Sequence, residues 1–180
     1  MDREQALKLV EQEIDNENLM KHMKAVEAAM RELAMHFDED QDEWGVTGLL
    51  HDLDYERTEE DASRHGLVTQ QMLEDYEVSD RQLEAIKAHA GQKEPENKME
   101  RAIYAADPLT GLIVAGALVH PEGLNQMDID FVKNRFSENS FARSANRDAI
   151  RTCTDLGLTL DEFIGIVLEA MKGINDELGL

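Results

Sequence analysis

The chain is poor in cysteine, proline, aromatic residues and positive charge, and each shortage excludes something. Its single cysteine, Cys153, rules out an intramolecular disulfide and a cysteine-rich zinc site, and is compatible with a reducing compartment. Three prolines and an aromatic content of 5%, set against nine methionines, do not suit a sheet protein built on Val, Tyr and Trp. An all-α protein packed with Leu, Ile, Ala and Met is predicted instead. Only 18 Lys and Arg face 39 Asp and Glu, a net charge of −21 over 180 residues. Such a surface repels nucleic acid and anionic lipid, which argues against a general DNA or membrane binder. It also means that an anionic substrate needs a local positive charge, of the kind a metal centre supplies.

Long apolar runs are missing as well. The stretch Ala102 to Val119 comes near membrane-span length, but Asp107, Pro108, Gly111 and Gly116 interrupt it, so a buried core helix is expected. The opening "MDREQALKLVEQEIDNE" is charged from its second residue and lacks a signal-peptide pattern, which points to a cytoplasmic location.

What is present is helical periodicity from end to end. It predicts one domain over residues 1–180, with helices over about 3–14, 17–37, 40–53, 59–76, 79–90, 96–119, 129–136, 138–155 and 159–177. The sixth carries Pro108, where it is expected to kink or restart. Ser79 with Gln82 and Thr159 with Glu162 are capping boxes for two of them.

Histidines and misplaced acids carry the chemistry. In "VTGLLHDLDYE" an apolar turn runs straight into His51 and Asp52. Adjacent helical positions point about 100° apart, so the pair forms no ordinary surface stripe. It can converge on one point if that point is a metal ion at the helix end. His22 lies in "NLMKHMKAVEAAM", His65 in "ASRHGLVTQQML" and His89 in "LEAIKAHAG". Asp107 sits inside "RAIYAADPLTGLI", where an ionised carboxylate costs several kcal/mol unless compensated. Either it caps a helix restarted at Pro108 or it holds a cation. Imidazole and carboxylate together suit Fe, Mn, Zn, Co or Ni held between helices of a bundle.

The order of His22, the doublet His51 and Asp52, His65, His89 and Asp107 resembles the metal-dependent phosphohydrolases of the HD superfamily. The segments "RHGLVTQQML", "AIKAHAG" and "AIYAAD" are similar to those of bacterial diadenosine tetraphosphate hydrolases and, more distantly, of HD-GYP cyclic-dinucleotide phosphodiesterases. "GLLHDLDYE" and "KNRFSENSFARSANRDAI" resemble a group of HDIG-type hydrolases. The chain departs from these relatives at "PLTGLIVAGA" and at "HAGQKEPEN", where substrate would be contacted.

The resemblance implies an HD-type helical bundle, with a metal-binding core over about 18–113 and additional C-terminal helices over about 128–178. It implies one or two divalent ions: His22, His51, Asp52 and Asp107 on the first, His65 and His89 on a second, and Asp52 shared. His51 and Asp52 are then the catalytic doublet. The implied substrate is a small phosphate ester or anhydride, a nucleotide or dinucleotide. A cyclic-nucleotide phosphodiesterase and a metal-stapled sensor or structural domain are the alternatives. Lys133, Arg143 and Arg147 are candidate phosphate ligands, because Arg143, Arg147 and Arg151 recur every four residues, as along one helix face. Asp54 and Glu56 are candidates to protonate a leaving group or orient a ligand histidine, against the ordinary reading of exposed, inert acids. His36 and His120 are left outside the site.

Overall fold

A computed structural model describes all 180 residues, and they form helices and turns with no strand. The helices are α1 (Arg3–Glu13), α2 (Glu17–His36), α3 (Gln41–Leu50), α4 (Tyr55–Thr58), α5 (Leu67–Met72), α6 (Asp80–His89), α7 (Lys98–Val119), α8 (Ile129–Ser137), α9 (Arg147–Arg151), α10 (Leu160–Gly173) and α11 (Asn175–Leu178). Both predicted capping boxes are formed, at α6 and α10, and a third, of Asp2 with Gln5, opens α1.

Two apolar clusters organise the bundle. The larger joins α2, α7 and α10, with Val26, Met30, Leu33, Ile103, Leu109, Phe163 and Val167 all out of solvent. The smaller joins α1 to α3 and the foot of α6 through Leu9, Val10, Met23, Leu49, Leu50 and Ile86. Helix α2 contributes to both and so ties the N-terminal layer to the C-terminal one. Its approach to α3 depends on a glycine: a Cβ at Gly48 would lie 2.8 Å from the Val26 carbonyl oxygen and 3.0 Å from Glu27 Cα. That contact brings the end of α3 beside His22.

Helix α7 does not restart at Pro108; it runs unbroken for 22 residues. A proline removes one helical hydrogen bond, here the one to the Tyr104 carbonyl, and the buried apolar residues on either side keep the helix docked. By length and composition α7 could cross a membrane, but Ile103, Leu109, Leu112 and Ile113 are fully covered by the bundle.

Three helices end or break earlier than their periodicity suggests. The third stops at Leu50, so the doublet lies in the turn that follows, held by bonds from Leu53 N to Leu50 O and from Tyr55 N to Asp52 O. The segment 59–76 is a 3₁₀ turn (Ala62–Arg64) followed by α5, separated by Gly66 at φ +77°. The first half of the segment 138–155 is loop: Ala142 takes φ +40°, and only Arg147–Arg151 is α-helical before another 3₁₀ turn. The last helix also divides, into α10 and α11.

Candidate metal centre

Asp52 is the hub. Its Oδ2 lies 3.6 Å from His22 Nε2 and 3.4 Å from His51 Nε2, and Asp107 Oδ1 adds to that side at 3.0 Å from His22 and 3.8 Å from His51. Its Oδ1 lies 3.2 Å from His65 Nε2 and 3.3 Å from His89 Nε2. One carboxylate therefore divides the four imidazoles into two sets. All six residues that the sequence singles out as ligands are brought to one point, although His51, Asp52 and His65 stand in turns rather than in helices.

Every imidazole is fixed through its other nitrogen. His51 Nδ1 bonds the Gly48 carbonyl at 2.7 Å, and His89 Nδ1 bonds the Ile86 carbonyl, each three residues back at the end of its helix. A carbonyl only accepts, so Nδ1 carries the proton in both and the Nε2 lone pair faces the cluster. His65 Nδ1 donates to Asp54 Oδ1 at 2.7 Å. Thr110 donates its hydroxyl to the Asp107 carbonyl at 2.8 Å, which leaves its oxygen to accept from His22 Nδ1 at 3.4 Å.

This arrangement suits a bound cation. His65 and His89 bring their Nε2 atoms within 3.1 Å of each other, an approach of two lone pairs that needs a positive charge between them. His51 Nε2 is buried without any hydrogen-bond partner. His22, His51 and Asp107 form one group able to hold an ion, and His51, Asp52 and His89 another. Without an ion, protons take its place. Burial opposes the charging of His65, but its hydrogen bonds with Asp52 and Asp54 outweigh that and lift its pKa to about 10. Burial likewise opposes ionisation of Asp52, and the surrounding His51, His65 and His89 hold its carboxyl well below the usual range. Burial keeps the His89 pKa low despite Asp52.

Asp54, weighed from sequence as one exposed acid among many, is fully buried. Besides His65 it accepts from the backbone N–H groups of Gly66 (2.8 Å) and Thr69 (2.9 Å), so it both orients a ligand and fastens the start of α5. Gly66 is required there: beyond its positive φ, a Cβ would meet Ala90 at 2.8 Å. Glu56 is not at the cluster; it accepts from the backbone N–H groups of Asp15 and Asn16 and closes the turn between α1 and α2.

None of the expected phosphate ligands lines the cleft at the cluster. Arg143, Arg147 and Arg151 do not share a helix face, because α9 begins only at Arg147. The Arg147 guanidinium donates to the carbonyls of Phe136, Glu138, Phe141, Ala142 and Ala145, and so acts as a strut inside the loop. Lys133 pairs with Asp161 at 2.8 Å on the surface, and Arg143 is exposed.

The ligands open onto a cleft of about 640 Å³, whose walls include Asn16, Asn18, Tyr55, Tyr104, Ser144 and Asn146. None of these was singled out from the sequence. Asn18 and Tyr104 stand four and three residues before ligands of their own helices, a helical spacing that could have flagged them. Ser144 and Asn146 arrive through a loop and left no such signal.

A model of the HD domain matches residues 19–120. The chain belongs to the HD-domain family. Members of that family are in general metal-dependent hydrolases, and the matched span contains all six candidate ligand residues. No curated protein and no solved structure matches the chain.

Proposed function

We propose that this HD-domain protein is a metal-dependent phosphohydrolase acting on a small phosphate ester or anhydride, a nucleotide. The observation that carries the reading is the division of Asp52 between two sets of imidazoles, each with Nδ1 committed and Nε2 turned inward. His22, His51 and Asp107 would hold one divalent ion of Fe, Mn, Zn, Co or Ni, His65 and His89 a second, and Asp52 both. Ions bound there supply Lewis acidity toward phosphoryl oxygens and lower the pKa of water.

The chain's own residues do the remaining work. The carbonyls of Gly48 and Ile86 and the carboxylate of Asp54 hold the imidazoles in one tautomer and orientation. The apolar turn before His51 anchors the doublet in the smaller core, so its ligands are in place before substrate arrives.

A structural metal site is closed by protein ligands, whereas a catalytic one stays accessible. Here the ligands line an open cleft, which favours catalysis over a metal staple. The test is elemental analysis of the protein after mild purification, followed by a phosphate-release screen over nucleotides. One or two transition-metal ions per chain and metal-dependent release are expected. A folded chain that takes up no ion from any of the five metals would overturn the proposal.

A further inference from the structure

Eighteen residues line the cleft, and none is Lys or Arg. That omission constrains the substrate. A nucleoside triphosphate or a dinucleoside polyphosphate places several charges beyond the ligand cluster, and phosphates held by protein are met by Arg forks or Lys. Of the nearby cations, Arg143 stands exposed between the lining residues Ala142 and Ser144 without being part of the wall, and the others are engaged elsewhere. Lys133 is paired with Asp161, and Arg147 is enclosed by loop carbonyls. Lys21 lines a neighbouring, more apolar cavity beside Gly179. The chain as a whole carries net charge −21, a field that repels further phosphates.

The rest of the wall suits an uncharged polar body. Asn16 and Asn146 each use Oδ1 to cap a helix, which leaves the amide NH₂ of each to donate. Asn18 and Ser144 add neutral donors and acceptors. Tyr55 stands 49% exposed at the rim, its ring edge-on to His65 at 5.9 Å, and Tyr104 lines the wall on α7. Exposed aromatic faces among amide and hydroxyl groups are what a nucleobase and its sugar use.

We propose that the substrate is a nucleoside monophosphate, its single phosphate at the histidine cluster and its nucleoside along Tyr55, Tyr104 and the asparagines. This rests on the phosphohydrolase reading above. A water oxygen bonds to phosphorus and the ester P–O bond breaks. The departing ester oxygen takes the proton that water gives up, so the products are nucleoside and inorganic phosphate.

The test has two arms. In the first, the metal-loaded full-length protein is assayed on the four nucleoside 5′-monophosphates, their triphosphates, diadenosine tetraphosphate and p-nitrophenyl phosphate. The best monophosphate is expected to exceed every triphosphate and the tetraphosphate at least tenfold in kcat/KM. Ser144→Lys, which adds a cation to the wall, is expected to narrow that gap about tenfold. A triphosphate or tetraphosphate that equals the best monophosphate overturns the inference and leaves the phosphohydrolase reading standing. Turnover of p-nitrophenyl phosphate alone does the same. No turnover of any compound by the metal-loaded protein overturns both. In the second arm, calorimetry follows the four nucleosides binding to metal-stripped protein, where ions play no part. Binding of at least one, weakened severalfold in Tyr55→Ala, is expected; no binding, or binding indifferent to Tyr55→Ala, overturns the placement of the nucleoside.

Discussion

The two ligand sets that meet at Asp52 are built differently. His22, His51 and Asp107 come from α2, the end of α3 and α7, helices joined through the apolar clusters, and His51 is completely buried. His89 closes α6, but His65 stands in the connection between α3 and α6, outside any helix, with φ −56° and ψ 136°. What holds His65 is a hydrogen bond to Asp54, and what holds that connection is the same carboxylate on Gly66 and Thr69. The first set is thus fixed by packing, whereas the second joins one histidine held by its helix, His89, to one held by a buried acid, His65. Packing is spread over many contacts, so no single change abolishes it, whereas a polar anchor fails as a unit.

The largest expected effect would remove the difference by striking both sets. Asp52→Ala takes away the oxygen that each set shares, and phosphate release should fall by several orders of magnitude, at about 1.4 kcal/mol of lost transition-state stabilisation per tenfold. The metal-free variant should also melt below the metal-free parent, because the buried His65 loses the carboxylate that does most to keep it charged, but it should still fold cooperatively, since the apolar clusters do not include Asp52. Undiminished turnover at saturating metal would rule out the shared-carboxylate arrangement.

Asp54→Ala should separate the sets. Losing an outer partner of a ligand histidine costs about 10–100-fold in metal affinity or activity. Metal content should drop by one equivalent while the His22, His51 and Asp107 set stays occupied. The backbone N–H groups left without an acceptor should also destabilise the chain by about 1–3 kcal/mol each. Equal loss from both sets, read by elemental analysis, would show that they are not independent.

The sets should differ in pH dependence too. In the metal-free chain His65 has a pKa of about 10 and is protonated at neutral pH, yet only the neutral ring binds metal. Loading the second set must therefore release that proton. Its affinity should rise about tenfold per pH unit up to about pH 10 and level off above. Calorimetry in buffers of different ionisation enthalpy counts the protons, and a pH-independent affinity would contradict the assignment. For the metal-free fold the sign is opposite. A pKa raised above the unfolded ~6.5 contributes stability that is fully present below ~6.5 and is lost as pH rises through about 10.

Outside both sets the effects should shrink. Lys offers three donors and no planar fork, so Arg147→Lys cannot serve the five carbonyls that Arg147 bonds. The loop carrying Ser144 and Asn146 should loosen, raising KM severalfold with kcat little changed. Lys133→Ala removes only an exposed pair with Asp161, so steady-state rates should not move measurably. A large loss of turnover there would return Lys133 to the substrate.

How much was legible follows the range of the forces involved. Both capping boxes and the bounds of α1, α2 and α6 were readable, because they depend on residues within a turn or two of each other. The candidate ligands were readable because His22, His51 and Asp107 are chemically out of place among apolar neighbours. The break at Gly66 was hidden, since the stretch from Glu59 to Tyr76 keeps helical spacing, and the positive φ is imposed by Asp54 and by contact with Ala90. The arginine spacing misled for a similar reason: a repeat of four implies a shared face only if the backbone between is helical, and Ala142 is not.

The sequence by itself determined that this protein is all-helical, strongly acidic and supplied with imidazoles and carboxylates in an order that suits divalent metal. Composition, periodicity and misplaced polarity are local properties, and they survive without coordinates. Only the tertiary structure decided that Asp54 is an anchor and Arg147 a strut, and that the cleft wall carries no cation. Each of those depends on which distant segments share a few ångströms of space. In the bundle that is set by close helix approach, such as the contact of Gly48 with the backbone of α2, and not by neighbours along the chain.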